Sequence, residues 1–193
     1  MLSQDEARFA MVPTLHTALG IKGHRLEVGT SDCKDKVHVF ASLNVIDGKL
    51  ITRIVEDLKN AVKKTGKSKC RRLQEAFAKH LRDVAKAYPK ELGKTVTLTI
   101  DNAPWHRGKI IDEVLAEFPH LKLYRLPSYS PQLNLVERFW KKLRRRATHN
   151  RYFSIIALLK KALRGSLQYF QTLKHKVLSL IDGPRKKTKL PAA

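Results

Sequence analysis

Acidic residues are scarce in this chain: 17 Asp and Glu stand against 39 Lys and Arg, giving a formal net charge of +22 over 193 residues. A field of that size calls for an anionic partner, and the commonest is the phosphate backbone of nucleic acid. An anionic membrane surface and a ribosomal environment are the plainer alternatives. Cysteine is nearly absent. Cys33 and Cys70 match no zinc pattern and cannot form a disulfide framework, so they read as ordinary thiols of a reducing compartment, which excludes extracellular life. The eight histidines show no ligand spacing, which argues against zinc. Long apolar runs are missing too, and the opening Met1-Leu2-Ser3-Gln4-Asp5-Glu6 has acids where a signal peptide has bases. The expectation is a soluble, unexported cytoplasmic protein with no membrane partner.

What is present is a core. With 42% hydrophobic residues the composition is too apolar for disorder, and a chain this long buries roughly 70% of its unfolded surface without staples. One basic domain over 1–182 followed by a basic tail over 183–193 is expected, with no room for a second large domain. The segments 37–46 and 49–54 are β-branched and flank Asp47-Gly48, which predicts a β-hairpin. Residues 57–69 are too lysine-rich for a core element. Leu73, Phe77, Leu81 and Val84 recur at helical spacing and predict an amphipathic helix that stops near Pro89.

Thr95–Ile100 alternates with period two and runs into the turn cluster Asp101-Asn102-Ala103-Pro104. A short helix over 107–117 and an apolar strand over 121–126 follow, and this strand, helix, strand order implies parallel pairing. A long helix is expected from about Gln132, with Leu133, Val136, Trp140, Leu143 and Ala147 on its packed stripe. Another covers 153–173. No internal repeat is evident.

Three acids lie at element boundaries or in apolar surroundings: Asp5, Asp101 and Glu137. Each has a plain structural reading. Asp101 suits an Asx turn, Glu137 pairs with Lys141 or favours a helix N-terminus, and Asp5 is rivalled by Glu6. Converging acids would repel one another unless a cation sits between them. Mg²⁺ prefers oxygen ligands, and two such ions about 4 Å apart can activate an attacking oxygen and stabilise the leaving one in phosphodiester displacement.

The strings Asp101-Asn102-Ala103-Pro104-Trp105-His106 and Leu126-Pro127-Ser128-Tyr129-Ser130-Pro131-Gln132-Leu133-Asn134-Leu135-Val136-Glu137-Arg138-Phe139-Trp140, with 35 residues between Asp101 and Glu137, resemble the catalytic domain of DDE transposases. The branch is that of bacterial insertion sequences related to mariner-like elements. Asp5-Glu6-Ala7-Arg8-Phe9 and Gly20-Ile21-Lys22-Gly23 resemble that family's first motif. The resemblance implies an α/β, ribonuclease-H-like fold, a mixed five-stranded sheet flanked by helices. It further implies that Asp5, Asp101 and Glu137 are the catalytic, metal-binding triad of a two-metal site. Mg²⁺ is the implied cofactor, with Mn²⁺ as a substitute.

The implied chemistry is hydrolysis at mobile-element ends followed by attack of the freed 3′-hydroxyl on target DNA, by a homodimer on two DNA ends in the bacterial nucleoid. An inactive DNA-binding remnant is the competing reading, and a nuclease that cuts without joining is a third. Gln132, Leu135 and Leu19 depart from the family's acid, proline and tryptophan. The family's amino-terminal helix-turn-helix domains have no place before Asp5, so end recognition is expected from a separate polypeptide.

Lys141, Lys142, Arg144, Arg145 and Arg146 follow Glu137 on its helix and are the expected DNA contacts. His106 joins that set, although it reads better as a local hydrogen-bonding residue than as a ligand. Trp105 either stacks on a base or packs on the sheet; Trp140 is core. The stretch 63–69 and the tail are open between phosphate contact and solubility.

Overall fold

The computed structural model describes residues 1–24, 27–30, 32–33, 35–55, 66–127 and 134–181. Five strands make one mixed sheet: β1 (Leu2–Ala10), β2 (Lys36–Asn44), β3 (Leu50–Val55), β4 (Val96–Ile100) and β5 (Leu121–Arg125), in the spatial order β3-β2-β1-β4-β5. β1 runs antiparallel to β2 along its whole length, from Leu2 opposite Asn44 to Ala10 opposite Lys36, and β2 is antiparallel to β3. β4 is parallel to β5, as the strand, helix, strand order required, and is parallel to β1 as well.

β1 is central, and its alternation sorts two helical layers. Ala7 and Phe9 face the core built with α3 (Val136–Ala147), α4 (Ile156–Thr172) and α5 (Lys174–Ile181). Leu2 faces the opposite core, built with α1 (Lys69–Ala87) and α2 (Lys109–Glu117). β2 is buried on both sides, with Val37, Val39, Ala41 and Leu43 in the first core and Phe40 in the second. A strand covered on both faces must be apolar on both, which is why 37–43 is nearly continuously hydrophobic.

Local chemistry sets the element ends. Ser68 caps α1 by accepting the Arg71 N–H at 3.2 Å, and Leu73, Phe77, Leu81 and Val84 are buried as the period predicts. The hairpin turn is longer than Asp-Gly alone. Asn44 Oδ1 accepts the Ile46 N–H at 2.9 Å, Asp47 Oδ1 accepts the Lys49 N–H at 2.7 Å, and Gly48 takes φ +70°. A Cβ at Gly48 would stand 2.6 Å from the Lys174 carbonyl oxygen, so this turn is fitted against α5.

The helix expected over 153–173 is α4, over 156–172. α5 has no counterpart in the sequence reading, because eight residues are too few to show a period. On α3, Val136, Trp140, Leu143 and Ala147 are buried as expected, and Phe139 joins them. Leu133, most of the lysine stretch and the tail over 183–193 lie outside the described residues.

Candidate functional site

The site lies where β1 passes the end of β4. Ser3 pairs with Thr99 across the parallel ladder, and two residues further along each chain come Asp5 and Asp101. Side chains alternate along strands, so both acids leave the sheet on the α3 side. Sequence reading placed Asp101 at a strand's carboxyl end, which holds, but placed Asp5 only in a short apolar-flanked segment. The structure puts it in the middle of a nine-residue central strand.

Asp5 is largely buried. Trp140 Nε1 donates to its Oδ2 at 2.9 Å. Burial pushes its pKa up to about 6, against the opposing pull of the Glu6 backbone N–H and the Trp140 donor, and the negative charges of Asp101 and Glu137 push it further up. The three acids thus share one electrostatic neighbourhood.

Asp101 is more open, and its carboxylate is held in two ways. Its Oδ1 accepts the Ala103 N–H at 3.0 Å, the Asx turn anticipated from sequence, and lies 2.9 Å from His106 Nδ1. Burial works to raise its pKa, but the His106 hydrogen bond, the Ala103 N–H and the His106 charge outweigh it and the net direction is down. Asp101 is therefore held ionised, while burial disfavours the charged form of Asp5.

Glu137 opens α3. Asn134 Oδ1 accepts the Val136 N–H at 3.3 Å and the Ser3 hydroxyl at 3.3 Å, so one side chain both organises the helix start and ties it to β1. Arg144 Nη1 adds a third polar link from α3 to β1 by donating to the Arg8 carbonyl oxygen at 3.0 Å, while its guanidinium lies 4.8 Å from the centre of the Phe9 ring.

Three carboxylates supply the hard oxygen donors that Mg²⁺ or Mn²⁺ takes, and the upward push of Asp101 and Glu137 on Asp5 is the effect that a bound cation would reverse. Among the described residues no three His, Cys, Asp or Glu side chains stand as a finished ligand set. The donor set fits a divalent metal in its chemistry, with the carboxylates held by Trp140 and His106 on their protein side.

A pocket beside Asp5 and Asp101 is lined by Glu6, Arg8, Thr14, His38, Lys69, Trp105, His106 and Arg144 as well. Arg8, Lys69 and Arg144 bring three cations to it. Of these, sequence reading singled out Arg144 and treated Lys69 only as part of a lysine run. Arg8 belongs to the motif Asp5–Phe9 but the sequence gives it no role; a first strand shortened by the few residues before Asp5 is the expectation, whereas β1 runs on to Ala10 and carries Arg8 to the pocket. The Glu6 carboxylate and His38 Nδ1 are in hydrogen-bonding contact in this pocket, also unseen from sequence.

The other predicted contacts divide. Lys141, Lys142, Arg145 and Arg146 are exposed. Lys141 and Arg144 lie within about 40° of Glu137 around the helix, whereas Arg146 is about 180° away, over the Tyr169 ring at 3.6 Å. His106 is 1% exposed, packed on Phe77 and bonded to Asp101, so it stands behind the acid and not on the surface. Trp105 packs partly buried against the α1-side core, which is the packing reading of that residue.

A mixed sheet in the order β3-β2-β1-β4-β5, with helices packed on both faces and Asp5 and Asp101 placed where β1 passes the end of β4, is a ribonuclease-H-like arrangement. Residues 1–160 match the DDE superfamily endonucleases, and the chain belongs to that family. It is similar to the insertion element IS630 uncharacterized 39 kDa protein of Shigella sonnei, 26% identical over 165 residues, covering 86% of this chain and 43% of that protein. The chain thus spans less than half the length of that relative.

The fold is that of the Mos1 mariner transposase catalytic domain, with TM-score 0.55, 15% identity and coverage of 94% of this chain and 78% of that one. The Mos1 paired-end complex with Mn gives TM-score 0.57 and 16% identity, covering 94% of this chain and 53% of that one. The Mos1 paired-end complex with the left transposon end gives 0.55 and 14%, covering 92% and 54%.

Proposed function

We propose that this chain is the catalytic domain of a DNA transposase, performing metal-dependent phosphodiester hydrolysis and 3′-hydroxyl strand transfer at mobile-element ends. The observation that carries the reading is the electrostatic neighbourhood shared by Asp5, Asp101 and Glu137 where β1 passes the end of β4, with Arg8, Lys69 and Arg144 lining the pocket beside Asp5 and Asp101. Asp5, Asp101 and Glu137 would hold Mg²⁺ or Mn²⁺, which when bound activates the attacking oxygen and stabilises the leaving one.

The chain's own residues do the rest. Asp101 is kept ionised by His106. Asn134 and Trp140 fix α3, and with it Glu137, against β1. Arg144 and Lys141 flank Glu137 and lead the DNA backbone toward the acids, with Lys142, Arg145 and Arg146 widening the basic surface. The mobile-element end and the target DNA are the substrates, in the bacterial nucleoid. Among the described residues no helix is long and apolar enough to cross a membrane.

The working unit is a homodimer on two DNA ends, with end recognition supplied by a separate helix-turn-helix polypeptide. The mass of the DNA-bound species tests this: two copies of the chain per pair of ends support it, and one copy contradicts it. The reading is tested by cleavage of a labelled duplex in Mn²⁺. Activity should disappear in Asp101→Asn and Glu137→Gln while salt-sensitive DNA binding persists. The competing reading, an inactive DNA-binding remnant, would show binding with no cleavage in the unaltered chain.

A further inference from the structure

We propose that Trp140 is a positioning residue for Asp5, setting the carboxylate for the divalent cation; this rests on the reading of Asp5, Asp101 and Glu137 as one cation site. The indole N–H is a donor only, and here it donates to Asp5 Oδ2 at 2.9 Å. A phenylalanine would serve packing alone. The ring is 5% exposed and fixed edge-on to Phe9, with centroids 6.1 Å apart at 71°, and tilted on Phe139 at 5.1 Å. Its donor therefore points where the core sends it.

The choice of donor matters for a cation site. A Lys or Arg in this place would neutralise Asp5 and compete with the metal for its charge, whereas a neutral indole orients the carboxylate and leaves the charge available. Position matters as much. Trp140 is three residues after Glu137, about 4.5 Å along α3 and about 60° around it, so one rigid element carries the third acid and the clamp on the first. The Asn134–Ser3 and Arg144–Arg8 bonds lie on either side of Trp140 and fix α3 to β1 around it. The separation of Asp5 from Glu137 is thereby built into a helix–strand contact.

The chain has two tryptophans, Trp105 and Trp140, so its indole N–H resonances are two in number and assignable by Trp105→Phe. With a short duplex present, Mg²⁺ titration of the full chain should move the Trp140 resonance, and the movement should vanish in Glu137→Gln. Trp140→Phe should bind Mn²⁺ ten- to a hundredfold more weakly by calorimetry, as loss of an outer-shell partner does, with a cooperative unfolding transition retained and duplex affinity within twofold.

Equal Mn²⁺ affinity in Trp140→Phe, beside Glu137-dependent binding in the unaltered chain, overturns the positioning role alone. Absence of any Glu137-dependent Mn²⁺ binding in the unaltered chain overturns the cation site, and the positioning role with it. If Trp140→Phe does not fold, the resonance decides: a Trp140 signal that ignores Mg²⁺ overturns the proposal, and one that moves supports it.

Discussion

His106 Nδ1 stands 2.9 Å from Asp101 Oδ1, and the imidazole is almost wholly buried against Phe77 while the carboxylate is open to solvent. The pair gives Asp101 a fixed inner side and a free outer one. Replacing His106 by Ala removes the largest influence that lowers the Asp101 pKa, which should then rise. Metal-dependent cleavage should fall about 10–100-fold at neutral pH, the usual effect of losing a ligand's hydrogen-bond partner, and recover partly at higher pH. A pH–rate profile of the variant checks this.

Asn134 joins the start of α3 to Ser3 on β1. Asn134→Ala loses a helix-start hydrogen bond and leaves the buried Ser3 hydroxyl without its acceptor, so stability should fall by about 1–2 kcal/mol. Ser3→Ala removes only one of the two bonds and should cost less. Urea denaturation of both variants measures the difference.

His80 is fully buried, accepts or donates through Nε2 with Ser42 at 2.8 Å, and has its pKa pushed down to about 3 chiefly by burial. Its folded pKa lies below the unfolded 6.5, so the unfolded state binds more protons between those values. Stability from this group is complete above 6.5 and is lost by about 1.4 kcal/mol per pH unit as pH falls toward 3. Asp5 acts the other way. Its folded pKa of about 6 exceeds the ordinary 3.8, so acidification from 6 to 4 favours the folded state and offsets part of the loss. The difference between the unaltered chain and His80→Phe isolates the histidine. The variant's denaturation midpoint should fall less steeply between pH 6.5 and 4, and parallel pH profiles would contradict a buried neutral His80.

Arg144 and Arg146 are both cations of α3, but they occupy different sides. Arg144 lines the pocket beside Asp5 and Arg146 lies over Tyr169. Arg144→Gln should weaken duplex binding and reduce the slope of log affinity against log salt by about 1, whereas Arg146→Gln should change the slope less. Equal slopes in the two variants would show that the helix binds DNA without regard to face.

Gly48 combines φ +70° with a backbone oxygen 2.6 Å from where a Cβ would sit. Gly48→Ala should destabilise by about 1–3 kcal/mol, because the left-handed conformation is strained for alanine and the turn must move away from α5. Thermal unfolding reads this directly.

The periodic elements were legible in the sequence because one physical rule dominates each. Val39, Ala41 and Leu43 on β2 and Leu73, Phe77 and Leu81 on α1 are apolar at strand and helix periods, and the structure buries them so. β1 was harder to read. Gln4, Asp5, Glu6 and Arg8 are poor strand formers locally, and they are held extended by the ladder to β2, which only the tertiary fold supplies, while β4 pairs with Leu2 and Ser3 alone. The same reason hid the pocket residues Arg8 and Lys69 and the Glu6–His38 pair, which are distant in sequence. Trp140 was rightly read as core, but period cannot show where its N–H points.

The most direct test of the central claim is calorimetric Mn²⁺ binding to the full chain with a short duplex present, comparing the unaltered chain with Asp5→Asn, Asp101→Asn and Glu137→Gln. If the three acids form one divalent-cation site, each substitution should abolish tight binding while duplex affinity persists. Tight Mn²⁺ binding that survives all three substitutions would contradict the account.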